Sequence, residues 1–91
     1  MTLVNLSEAQ DGYRRAIADC KQALATAEPV GGCRSAALGR IEAVRKAAMR
    51  SVDAYTTRRF MPVNTRRGLV AKLDRLHHAA LAELDLITGA V

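Results

Sequence analysis

Aromatic residues are almost missing from this chain: no Trp, one Phe and two Tyr among 91 residues. None alternates with the basic side chains, so the stacking platforms that hold single-stranded bases are not available. Proline and glycine are also scarce, at two and six, and fall mostly at a few places, which leaves long stretches without a breaker. The two cysteines, Cys20 and Cys33, are too few for a disulfide-built secreted scaffold. Cys20 is expected as a small core residue with both thiols reduced; the alternative is a Cys20–Cys33 bridge tying a helix to the following loop. No apolar run approaches the length of about eighteen that a membrane span requires, so no membrane partner is expected. The opening Met1-Thr2-Leu3-Val4-Asn5-Leu6 lacks the basic segment and long apolar run of a leader peptide, and a cytoplasmic protein is expected.

Catalytic patterns are missing too. Gly31-Gly32 is not followed by Lys-Ser/Thr and does not succeed a strand, so it is no phosphate loop. His77 and His78 are adjacent, which on a helix points them about 100° apart, too far to share one metal. No Ser/His/Asp or Cys/His arrangement can be argued from spacing, and a chain this short has little room for a cleft of enzymatic size. The expectation is a non-enzyme with no cofactor and no metal. RNP, KH and zinc-finger signatures are likewise missing.

What the chain does have is alanine, at seventeen positions, within a composition 49% hydrophobic and 25% charged. Alanine favours helix over strand. Ser7-Glu8-Ala9-Gln10 has the form of a capping box, with Leu6 as its hydrophobic staple. Ala9, Tyr13, Ile17 (with Ala16), Cys20, Leu24 and Ala27 then recur at spacings of three and four. Glu28-Pro29-Val30-Gly31-Gly32 is expected to break this helix. Ser35 is the expected cap of a second helix, with Leu38, Ile41, Val44 (or Arg45), Ala48, Val52, Tyr55 and Arg59 as its stripe. Glu42 and Lys46 are spaced for an i,i+4 pair on it, and Pro62 sets its end near Arg59 or Phe60. Asn64 is the expected cap of a third helix, whose Leu69, Leu73, Leu76, Ala80, Leu84 and Ile87 form the cleanest amphipathic pattern, closed by Thr88-Gly89. Asp74 and His78 are spaced for a surface pair.

These signals predict an all-α fold: one domain over residues 1–91, an up-down-up three-helix bundle with helices at about 7–27, 35–60 and 64–88. The alternative is a hairpin of the second and third helices that forms a homodimer, with the first as a cover. Helix three carries a second apolar row, Val70, His77 and Leu81, that widens its stripe beyond the ~100° a bundle helix needs. Either it is the most buried helix or this row faces a partner chain.

Charge is distributed unevenly. The net charge is +5, yet residues 34–75 hold eleven of the fourteen Lys and Arg against Glu42, Asp53 and Asp74, a balance of +8. The densest part is Arg58, Arg59, Arg66 and Arg67, followed by Lys72 and Arg75. Arg66 and Arg67 are expected in the first turn of helix three, where free amides also favour an anion. A protein partner with an acidic surface is the leading expectation. An inhibitor or adaptor of the phage or mobile-element type would use such a surface. Nucleic-acid binding through the same arginines is the second expectation, since phosphate contacts alone give salt-sensitive affinity. A structural homo-oligomer with a solubilising basic face is the third.

Overall fold

A computed structural model describes residues 6–59 and 61–89, with the side chain of Arg59 outside the described set. Three helices follow one another: α1 (Ser7–Ala25), α2 (Val30–Arg59) and α3 (Val63–Thr88). Each packs on the other two, and no strand occurs among the described residues. The fold is the expected all-α three-helix bundle.

The apolar spacing of α1 buries Ala9, Tyr13, Ala16, Ile17 and Cys20. From α2 come Cys33, Ala37 and Ile41, and from α3 Leu73, Ala80 and Leu84, all in one core. Ile41, Leu73, Leu84 and Val52 are sealed from solvent. Complete removal of such a side chain from water contributes about 1.5–3 kcal/mol. Leu24, Leu38, Val44, Ala48, Leu76, Leu81 and Ile87 pack around this centre half-buried.

The helix ends depart from expectation, each for a backbone reason. α1 begins at Ser7, so the residue before it, Leu6, holds the cap position where Ser7 was expected, and its carbonyl accepts from the Gln10 amide at 2.9 Å. Leu6 packs against the core, which draws the helix one residue earlier. At the other end α1 stops at Ala25 rather than Ala27. Ala27 is left-handed (φ 65°), and its amide and that of Glu28 turn back to the carbonyls of Leu24 and Ala23 at 3.1 and 3.2 Å. This is the Schellman arrangement, formed here without the usual glycine.

α2 begins five residues before Ser35. The Pro29 carbonyl accepts from the Cys33 amide at 3.1 Å, so the proline expected to break α1 instead starts α2, α1 having already ended in the Ala27 turn. A proline at a helix start forfeits no helical hydrogen bond, and its fixed φ suits the entry. Gly31 and Gly32 thus lie in the first turn instead of a loop. Their low helix propensity, about 1 kcal/mol each, is opposed by the burial of Cys33 and Ala37 against α1. Pro62 repeats the device for α3: it stands at the cap (φ −58°, ψ 145°) where Asn64 was expected, and its carbonyl accepts from Arg66 at 3.0 Å. The C-terminal stop is the expected one, with Gly89 left-handed and its amide directed at the carbonyls of Asp85 and Leu86. Phe60, the outer limit expected for α2, lies outside the described residues.

Candidate partner-binding surface

Cross-helix ion pairs set the register of the bundle and decide which cations remain free. On α2, Arg34, Arg45 and Asp53 face Asp85, Asp74 and Arg66 of α3; the first and last pairs measure 2.6 and 2.7 Å. From Arg34 to Arg45 α2 advances eleven residues while its partner on α3 retreats eleven, and from Arg45 to Asp53 both move eight. Eleven residues is about 20° past three helical turns and eight about 80° past two, so all three pairs stay on the facing sides of α2 and α3. Charges run plus, plus, minus from the start of α2, and minus, minus, plus along α3 when it is read back from its C-terminal end. Only an antiparallel pairing in this register satisfies all three. α1 joins through Asp19–Arg40 to α2 and Lys21–Glu83, 3.3 Å, to α3.

This network takes up two acids that local spacing assigns elsewhere. Asp74 pairs with Arg45 rather than His78. Glu42 faces His77 Nε2 at 3.6 Å, across the bundle from the expected Lys46.

His77 is only 7% exposed and lies inside the bundle, not on a free flank of α3. Its Nδ1 is 3.3 Å from the Tyr13 hydroxyl, with the rings edge to face. With Nε2 protonated toward the Glu42 carboxylate, Nδ1 accepts from the tyrosine, so Tyr13, His77 and Glu42 connect all three helices. Burial pushes the Tyr13 pKa up; nearby Arg45 lowers it, while Glu42 and Asp74 raise it. Leu81 packs half-buried on the core and Val70 is half-buried. The wide apolar face of α3 is therefore turned largely into its own bundle. The large apolar side chains that reach solvent among the described residues are Val30, Val63 and Leu86.

Of the six expected basic residues, the five whose side chains are described separate into three groups. Arg66 is half-buried on Asp53, and its amide is already bonded to Pro62, so it belongs to the α2–α3 seam. Arg58, in the last turn of α2, and Arg67, in the second turn of α3, are exposed at the hairpin tip. Lys72 and Arg75 line a groove of about 440 Å³ with Leu6, Ser7, Gln10 and Leu76, where α1 begins beside α3. The side chain of Arg59 lies outside the described residues. Among the described residues, Arg58, Arg67, Lys72 and Arg75 have no acidic partner within ion-pair reach. Arg67, Lys72 and Arg75 spread over about 140° of the solvent side of α3, given 3.6 residues per turn.

No three His, Cys, Asp or Glu side chains among the described residues converge to hold a metal ion, and no helix is long and apolar enough to cross a membrane. No protein-family model, curated protein or solved structure matches the chain.

Proposed function

We propose that this is a non-catalytic interaction module, cytoplasmic, that binds an acidic protein surface through Arg58, Arg67, Lys72 and Arg75, with Arg59 beside them in sequence, and so acts as an inhibitor or adaptor. The observation that carries this reading is the unequal use of charge. Asp19, Asp53, Asp74, Glu83 and Asp85 are each engaged by a cation on a neighbouring helix. Arg58 and Arg67 at the α2–α3 tip, with Lys72 and Arg75 farther along α3, are left over among the described residues, as are Arg14 and Arg15 on α1 and Lys46 and Arg50 on α2. Exposed arginines in this number steer an oppositely charged partner and present forks that grip carboxylates in pairs. Half-buried Val70 lies about 60° around α3 from Arg67, at the edge of this arc.

The test replaces Arg58, Arg59, Arg67, Lys72 and Arg75 together by Ala, leaving Arg66 and its Asp53 pair intact. The helical circular dichroism is expected to persist, while capture of the acidic partner from the native host falls by at least about tenfold, the effect of losing ~1.4 kcal/mol. Undiminished capture by the five-Ala chain removes the surface from consideration. A mobility shift of duplex DNA that the same variant abolishes, with protein capture lost after nuclease treatment, would replace the protein partner by nucleic acid.

A further inference from the structure

We propose that Cys20 and Cys33 are a redox pair, which a small-molecule disulfide converts into a bridge between α1 and the first turn of α2. They are the only cysteines in the chain, and both are free. They come from facing helices and share the wall of one groove of about 300 Å³. Asp19, Glu28 and Arg40 stand at the same groove, and Ala16, Ala36 and Gly32 leave it room for a small reagent. Cys20 is 4% exposed and Cys33 is 8% exposed. The Cys20 thiol is pushed up first by burial and then by Cys33, and Arg34 opposes this. The Cys33 thiol points at the Glu28 carboxylate, with sulfur and oxygen 3.9 Å apart. Cys33 also follows Gly31-Gly32 at the start of α2, where the backbone adjusts to disulfide geometry most readily.

Cys33 is the entering thiol, because it is the more open and because burial holds the Cys20 proton on. Its thiolate attacks one sulfur of the reagent, forming a mixed disulfide and expelling the first small thiolate. Cys20 then loses its proton and attacks the Cys33 sulfur, forming the bridge and expelling the second small thiolate. The two electrons pass to the reagent, and the two protons leave with the expelled thiolates. The groove lies at the α1–α2 turn, the opposite end of α2 from Arg58, so this chemistry and the partner surface stand or fall separately.

The wild-type chain is equilibrated at low concentration in mixtures of oxidised and reduced glutathione, quenched, denatured, alkylated with a maleimide and weighed intact. The expected oxidised product is a monomer lighter by two hydrogens that takes up no maleimide. The reduced form takes up two, and the ratio follows the redox mixture reversibly. A Cys20→Ser chain is expected to stop as a glutathione adduct on Cys33, and a Cys33→Ser chain to be modified far more slowly. Two thiols that stay maleimide-reactive at every mixture, or oxidation only to adducts and dimers, would overturn the pair. Equal modification of Cys20 and Cys33 in the single variants would overturn the order of attack.

Discussion

At Gly12 a side chain has no room. A β-carbon built there would lie 2.7 Å from Val44 Cγ2, and a helical valine has essentially one rotamer to offer. Alanine in a helix interior gains about 1 kcal/mol over glycine, but overpacking of this kind costs about 1–3 kcal/mol. Gly12→Ala is therefore expected to lower stability in thermal melts, against its propensity. In a Val44→Ala background the same change should raise it, and a substitution stabilising in both backgrounds would contradict the close approach of α1 to α2. Ala27 presents the reverse case: its left-handed φ of 65° holds the turn between α1 and α2. That conformation costs an L-residue about 1–2 kcal/mol, while the freedom glycine adds to the unfolded chain returns only ~0.4–1 kcal/mol of the gain. Ala27→Gly is expected to raise the melting midpoint by a few degrees, on the scale of ~4–8 °C per kcal/mol for a chain this size. A lower midpoint would mean that the turn relaxes in solution.

Helix by helix, the apolar stripes were legible because three-four spacing is a property of one helix alone. Tyr13, Ile17, Ile41, Leu73 and Leu84 all occupy the core that their spacing predicts. The start of α2 was not, since Pro29-Val30-Gly31-Gly32 has the composition of a loop and becomes helix only because Cys33 and Ala37 find α1 to pack on. His77 failed for a related reason: periodicity gives its direction about α3, not which neighbour stands there. The concentration of arginines could be read from the sequence, but their pairings could not, because Arg66 meets Asp53 and Arg45 meets Asp74 across two helices rather than within one turn. One signal was available: opposite charges on α2 and α3 whose positions move equally in opposite directions along the chain. These pairs are partly exposed, and such pairs contribute about 0.2–1 kcal/mol each, so their main effect is on register. Arg45→Asp is expected to destabilise by roughly 1 kcal/mol as like charges meet Asp74, and Asp74→Arg added to it should restore most of the loss. Additive losses in chemical denaturation would refute the pairing.

For the molecule as a whole, the question is whether a second copy is needed to complete the core. α1 lays Tyr13, Ile17 and Cys20 onto α2 and α3 of the same chain, filling the place that a partner hairpin would occupy in the dimeric alternative. The apolar side chains left outside among the described residues do not assemble into a substitute. Val30 and Val63 begin α2 and α3, at opposite ends of an antiparallel pair, and Leu86, 71% exposed, lies near the Val30 end. A stable interface buries about 800 Å² on each partner, well beyond isolated residues such as these. A net charge of +5 on a body of 48 × 20 × 16 Å adds repulsion between copies. Sedimentation is therefore expected to find a 9.8 kDa monomer across a wide concentration range. Raising salt to about 1 M, where screening acts within ~3 Å, removes the repulsion without creating an apolar contact, so the monomer should persist there too. Capture of an acidic partner should weaken over the same range, while the melting midpoint, which rests on the apolar core, should move little. A dimer that strengthens with salt would mean that α1 leaves its seat and the hairpin finds another copy.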